Sequence, residues 1–399
     1  MALLILGVGA LLRQPAMMAL GAFLGTVGVV AWAWNGVILR GVEYRRTLSE
    51  TRAFVGETVT LTLALTNRKW VPVAWLRLED SFPEAMKPTG VALSPASQPG
   101  RATLTRVTAL GPFETVRWSF TLPCHQRGYY FFGPAFLVAG DVFGLFERHG
   151  TVPEQTRLIV YPRVEPLEAL GFPTKDPFGL RRAPRSLFED PTRPAGVRPY
   201  HPEDPLRRVH WKVTARTQAL HVRVWEPTET HQVALFLNTA TFARYWEGIN
   251  PEQLERAISV AASIAMHVWE AGHPVGLIAN ASVPRSDQPV HVPAGRRPDH
   301  MRRILEALAA VTGFATTPIE RLLAQEAPRL PWGCTLILVT AVVTQPVVTT
   351  LLRLQQAGRR VVLVSLDEQW QPDEALRSRI EVYTLEGARG EAAFSVSRG

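Results

Sequence analysis

Between residues 197 and 227 the chain reads VRPYHPEDPLRRVHWKVTARTQALHVRVWEP. Its cations, Arg198, Arg207, Arg208, Lys212, Arg216 and Arg223, stand beside Asp204, Trp211 and Trp225. Side chains of these types offer three kinds of chemistry: cations that attract phosphate or carboxylate, an acid held beside activating cations, and aromatic rings that stack on bases. The same letters have a structural reading. Asp204 precedes a proline, so it is expected to be the N-cap of a short helix whose first position Pro205 occupies. On that helix Leu206, Val209 and Val213 fall where a buried face needs them, while Arg208, Lys212 and Arg216 recur at i, i+4 and i+8 as a cationic face. Trp211 is expected to pack against a sheet rather than to stack on a base. ALHVRVWEP then alternates Leu220, Val222 and Val224 with His221, Arg223 and Trp225, which predicts a strand.

Other chemistries lack their local signatures. His201, His210, His221 and His231 have no metal-ligand spacing and no acid or thiol clustered with them. The sequence contains no GxxxxGK[ST], GxSxG or HExxH, the local marks of nucleotide hydrolysis, serine hydrolysis and zinc proteolysis. Cys124 and Cys334 are far apart and outside any CxxC spacing, so neither a disulfide framework nor a zinc site is expected, and a reducing compartment fits. With 43 Lys and Arg against 35 Asp and Glu, the chain carries a formal charge of +8. That surplus suits acidic proteins, anionic lipid or nucleic acid, the last ranked third because the chain also reads as membrane-anchored.

The elements that must carry these residues begin with an apolar N-terminus in which Arg13 is the one charged side chain before Arg40. Pro15 to Leu39 is long enough to cross a hydrocarbon core as a helix, with Trp32 and Trp34 at interface positions. Ala2 to Leu12 is too short to span comfortably alone, and Arg13-Gln14-Pro15 suits either a kink or the turn of a hairpin. An anchor is favoured over a cleaved signal, because no cation precedes the apolar run. Arg40, Arg45, Arg46 and Arg52 follow the span, which places residues 40–399 in the cytoplasm by the positive-inside rule. Beyond it the apolar period becomes two, in ETVTLTLALTN and TVRWSFTLP, and strands of this kind from Phe54 to about Tyr161 predict a small β-sandwich. From Gly171 to Pro199 the proline-rich pattern predicts a linker or surface loop.

The stretch RPYHPEDPLRRVHWKVTAR resembles the signature R-x-Y-x-x-G-D-x-x-R-x-I-x-W-x-x-x-A-R of the family called domain of unknown function 58, through Arg198, Tyr200, Asp204, Arg207, Trp211, Ala215 and Arg216. It departs at Glu203, where the family has Gly, and mildly at Val209. GVEYRRTLSETRAFVGETVTLTLALTNR and HQRGYYFFGPAFLVAGDVFGLFER are similar to the family's N-terminal half. The resemblance implies a membrane-anchored bacterial protein with a β-rich domain and a C-terminal von Willebrand factor A-like domain, in a family often associated with MoxR-type AAA+ ATPases. It implies no established activity.

The last third independently reads as alternating strands and helices. QVALFLN, PVGLIAN, TLILVT and RVVLVSL predict strands of a doubly wound parallel sheet, and PEQLERAISVAASIAMHVWEAG, PDHMRRILEALAAVTG and TQPVVTTLLRLQQAG predict its helices. Metal-binding A domains end their first strand in D-x-S-x-S, whereas this chain has Asn238, Ala240 and Phe242 at those positions, so no metal is expected there. No cofactor is expected either. The organisation expected is an anchor over 1–39, a β-sandwich-like domain over 40–165, a Pro/Arg-rich and signature segment over 166–229, and an A-like α/β domain over 230–399. The function expected is a non-enzymatic scaffold or adaptor that docks a protein partner. The alternative is an envelope-associated enzyme whose signature residues line a pocket.

Overall fold

The longest apolar run forms the helix Pro15–Val37, long enough and apolar enough to cross a membrane by length and composition. A shorter helix, Ala2–Leu11, folds back on it through a turn in which Arg13 takes φ 51°. The break at residues 13–15 is therefore a hairpin turn and not a kink. Glycines permit the close contact: a Cβ at Gly21 would lie 2.7 Å from the Leu6 backbone nitrogen, and one at Gly9 would lie 2.8 Å from that of Met18. This computed structural model describes residues 1–173, 177–178, 189–202, 204, 206, 209–227, 232–283 and 288–385, and the chain divides into two units, Met1–Arg163 and Val164–Gly399.

In the first unit, the alternating patterns become strands with one buried row. Val59, Leu61, Leu63 and Leu65 of Thr58–Asn67 are all buried, and this strand pairs antiparallel with Val42–Leu48 and Thr115–Pro123. A five-stranded sheet runs in the order Glu147–Val152, Ala135–Gly140, Val73–Pro83, Arg101–Leu110, Ser94–Pro95. A third sheet joins Arg52–Phe54, Thr156–Tyr161 and Gly128–Phe132. Their inward rows share one core that includes Leu63, Leu78, Phe82, Leu104 and Phe132.

A buried ion pair crosses this core. The Arg46 guanidinium, on Val42–Leu48, grips the Asp80 carboxylate on Val73–Pro83 through Nη2 and through Nε at 3.0 Å, and the two side chains are 3% and 0% exposed. Tyr44 donates its hydroxyl to Asp80 Oδ2 at 2.6 Å, while Arg46 Nη1 donates to the Phe132 carbonyl at 3.0 Å. Burial and the neighbouring Asp80 carboxylate push the Tyr44 phenol well above its ordinary range. Burial disfavours the charged Arg46, but its bonds to Asp80 outweigh that and hold its pKa above the usual value. Burial also pushes the thiols of Cys124 and Cys334 up to about 11, which keeps them protonated and unreactive at neutral pH.

The second unit is built on a six-stranded sheet ordered Val290–Gly295, Val275–Ala279, Val233–Leu237, Thr335–Thr340, Arg360–Ser365, Glu381–Thr384. All neighbours are parallel except Val290–Gly295, an antiparallel edge. Val233–Leu237, Val275–Ala279 and Thr335–Thr340 are buried at every position, which is why they read as unbroken apolar runs. The helices Pro251–Glu270, Pro298–Ala310 and Gln345–Gln356 stand where their periodicity predicts. Asn250 caps the first, accepting from the Glu252 and Gln253 amides at 3.1 and 3.3 Å. Val290–Gly295, Ile319–Glu326 and Glu381–Thr384 are further elements that the pattern did not single out.

The proline-rich stretch is not wholly a loop. Glu189–Pro199 pairs antiparallel with His221–Pro227 as a two-stranded ribbon, with register breaks around Pro194 and Gly196. Proline has no amide to donate, so such a strand pairs irregularly and leaves little periodic signal.

Candidate functional site

Val222 is fully buried and faces Arg198 across the ribbon. Val209, 4% exposed, bridges to Val222 from the other side. Backbone bonds lace the intervening turn: Tyr200 N–H to Leu220 O at 2.9 Å, Asp204 N–H to His201 O at 2.8 Å, and His210 N–H to His221 O at 2.8 Å.

Within this frame Arg198 and Asp204 meet as a bidentate pair, with Nη2 to Oδ1 at 2.6 Å and Nη1 to Oδ2 at 2.7 Å. The His201 amide adds a third donor to Oδ2 at 2.9 Å. The Arg198 bonds, followed by the His201 amide, hold the Asp204 carboxyl below the usual carboxylate range. A depressed folded-state pKa stabilises the turn above the carboxyl's unfolded value, near pH 4, and that stabilisation disappears as the pH falls through the folded value. This arrangement corrects the expected N-cap. The α-helix runs from Trp211 to Thr217 with His210 as its cap, while Asp204 is bonded to a cation six residues upstream and Pro205 lies outside the described residues.

Two further expectations on this segment fail for the same reason. Leu206, before the helix, is 64% exposed, and Trp211, now at the first helical position, is 66% exposed. Tyr200 is half-buried, while Ala215, Lys212 and Arg216 are exposed, the last two one turn apart on the helix. Arg207 and Arg208 lie outside the described residues. Trp211→Ala is accordingly expected to change stability by no more than about 0.5 kcal/mol, as a surface substitution does. Thermal unfolding of the full chain in detergent checks it, and a loss of several kcal/mol would mean that the ring is packed.

The second cluster stands at the carboxyl ends of the central strands of the second unit. Asn238, 3% exposed, donates Nδ2–H to Thr340 Oγ1 at 2.9 Å and accepts at Oδ1 from Asn280 Nδ2 at 2.9 Å and from the Ala240 amide at 3.2 Å. Asn280 in turn accepts from the Thr239 amide at 2.9 Å and donates to Thr317 O at 3.1 Å. Thr340 Oγ1–H donates to Val342 O at 2.7 Å, and Thr241 Oγ1 accepts from the Asn250 amide at 2.8 Å. Uncharged amides and hydroxyls therefore satisfy one another at these strand ends. Ala240 and Phe242 contribute a methyl and a ring, the latter 37% exposed. Asn280 and Thr340, which complete the network, were recognisable as the polar residues ending the buried runs VGLIAN and TLILVT.

Beside this cluster lies a crevice of about 570 Å³ at the switch point of the sheet, lined by Phe242, Glu252, Arg256, Val342, Asp367 and Glu368 among others. Arg256 Nη1 is 3.8 Å from the Glu368 carboxylate, and Asp367 accepts from the Gln369 and Trp370 amides at 3.1 and 3.2 Å. Periodicity did not identify Val342, Asp367 and Glu368, because strand-end loops carry none, and Glu252 and Arg256 lie on the polar side of the helix Pro251–Glu270, which the apolar period does not single out.

Residues 196–375, which hold the signature turn and most of the parallel sheet, match the family model described as "Protein of unknown function DUF58". This segment, a little less than half of the chain, is thus similar to that family. The chain is 23% identical over 288 residues to the uncharacterized protein YeaD of Bacillus subtilis (strain 168), covering 72% of this chain and 67% of that one. Solved structures similar to part of it include the CARDB domain of a Pyrococcus furiosus protein, at 12% identity, 30% of this chain, 93% of that one and a TM-score of 0.21. A type II cohesin domain from Acetivibrio cellulolyticus matches at 12% identity, 29% of this chain, 94% of that one and a TM-score of 0.20. At such scores neither likeness carries an argument.

Proposed function

We propose that this chain is a membrane-anchored, non-enzymatic scaffold or adaptor that docks a protein partner, and that the partner is a MoxR-type AAA+ ATPase, as the family resemblance suggests. In this reading Pro15–Val37 crosses the membrane, residues 40–399 are cytoplasmic, the first unit is a β-sandwich and the parallel sheet belongs to an A-like domain. The observation that carries the reading is the saturated chemistry of both clusters. Among the described residues, Arg198 and Asp204 are bonded to each other, and Asn238, Asn280 and Thr340 to one another, so these groups are engaged as structural partners. Lys212 and Arg216 are exposed on one helical face and suit an acidic partner surface. An active site built on the signature would instead need its polar groups to converge on a substrate-sized space.

Two experiments test this. Reporter fusions to the C-terminus are expected to be active only with the reporter that works in the cytoplasm, and activity only of the exported reporter would reverse the topology. A photo-cross-linking amino acid in place of Lys212, in cells, is expected to capture the ATPase, whereas one in place of Arg353 is not. Equal capture from both positions, or from neither, would remove the docking role from this helix.

A further inference from the structure

The strand register of the first unit puts a particular set of loops beside the membrane helix. Val42 pairs with Asn67, Val73 with Leu110, and Gly140 with both Trp75 and Glu147, so these strand ends share one end of the unit. The helix Pro15–Val37 enters at that same end. Ile38 is fully buried in the core of the unit, and Trp34 and Leu39 pack against it. Lys69 donates Nζ–H to the Ile38 carbonyl at 2.7 Å, placing a cation on the last carbonyls of the helix, and the Arg68 amide donates to Gly41 O at 2.8 Å. Leu39 lies against Gly150, where an added Cβ would come within 3.1 Å of it. The unit is thus fastened to the helix exit and does not hang from a free linker.

Three loops leave this end, 68–72, 111–114 and 141–146, and they carry Trp70, Phe113, Val142, Phe143, Leu145 and Phe146. Exposure of these side chains runs from 36% at Phe146 to 79% at Trp70. The loops are held in shape. Trp70 and Phe113 pack edge to face at 5.4 Å, and the Phe113 amide donates to Lys69 O at 3.3 Å. The buried Asp141 carboxylate accepts from the Phe143 and Phe146 amides at 2.7 and 2.6 Å, and Gly144 at φ 68° closes the turn, which leaves the apolar side chains outside. Among the described residues, the loops at the opposite end carry no exposed large apolar side chain. Monomeric soluble surfaces rarely keep such a patch in water.

We propose that this rim is a second membrane contact: its aromatic and aliphatic side chains enter the interfacial layer of the phospholipid bilayer that the helix crosses, with the exposed Arg40 and Arg148 at headgroup level. The proposal rests on the reading of Pro15–Val37 as a span. The occupant follows from continuity, since loops fastened to the exit of that helix meet lipid before any other partner. Aromatic side chains and cations are the residues that settle at this depth. The β unit then stands on the bilayer in a fixed orientation, and its opposite end faces the aqueous phase.

Nitroxide labels on full-chain variants with one added cysteine, in phosphatidylcholine and phosphatidylglycerol nanodiscs, test this, since Cys124 and Cys334 are buried. Labels are placed at Phe143→Cys and Trp70→Cys on the rim, at Ser97→Cys on the opposite end and at Val29→Cys on the helix. The ratio of collisions with oxygen, which concentrates in lipid, to collisions with a water-soluble nickel chelate is expected to be severalfold higher at positions 143 and 70 than at 97, and highest at 29. Rim labels as aqueous as position 97, with position 29 in lipid, would overturn the rim contact and leave the span intact. An aqueous position 29 would overturn the span, and the rim contact with it.

Discussion

Asp80→Ala is expected to destabilise the first unit by about 3 to 5 kcal/mol, the usual cost of removing one partner from a buried ion pair. The loss exceeds that of an ordinary hydrogen bond because Arg46, 3% exposed at its side chain, would keep its charge in the core with carbonyls, hydroxyls and the Tyr44 ring around it and no carboxylate bound to it. Tyr44→Phe removes one donor to the same carboxylate and leaves the ion pair in place, so its cost is expected to be about 1 to 2 kcal/mol. Because the pair joins strands of different sheets, the effect is expected in Val42–Leu48 and Val73–Pro83 together. Hydrogen exchange of the full chain in detergent reads the opening free energy of each strand. If Asp80→Ala cost no more than Tyr44→Phe, the pair would not be a pin between the sheets.

The second large effect is expected at the strand ends of the other unit. Asn238→Asp replaces a group that both donates and accepts with one that only accepts when ionised, so the bond to Thr340 Oγ1 is lost unless Thr340 turns its proton away from Val342 O. A buried carboxylate among these uncharged amides and hydroxyls is expected to cost about 3 kcal/mol at neutral pH. The sign with pH follows from burial, which raises the carboxyl's folded-state pKa above its unfolded value of about 4. The variant is therefore closest to wild type below that value and loses stability as the pH rises toward the folded pKa. Magnesium is expected to restore nothing, since Ala240 and Phe242 supply no oxygen ligands from their side chains. Thermal unfolding across pH, with and without the cation, measures both effects. Stabilisation of the variant by magnesium would mean that the strand ends retain a working cation site.

The parts of the fold that could be read from the sequence are those in which burial imposes a period. Val59, Leu61, Leu63 and Leu65 face a core from one side of a strand, and Val233–Leu237 is covered on both sides, so each leaves the pattern its environment requires. Asn250 and Pro251 mark a helix start because capping is local. Asp204 and Pro205 carry the same local mark and mislead, because Arg198 reaches the carboxylate first across a turn that no window of helical spacing contains. Glu189–Pro199 escaped notice because a strand interrupted by prolines has no apolar row. The rim loops were equally silent: periodicity says which face of a strand is buried, and only the pairing register says which end of the sheet meets the helix Pro15–Val37.

Docking is the central claim, and equilibrium binding between the purified full chain in nanodiscs and a MoxR-type ATPase from the same organism tests it most directly. The wild-type chain is expected to bind, with an affinity that falls as salt rises, and Lys212→Glu with Arg216→Glu is expected to weaken binding by about tenfold or more at low salt while leaving thermal stability within about 0.5 kcal/mol. No association at low salt, or a charge-reversed chain that binds as the wild type does, would contradict the assignment of this helix as the docking surface.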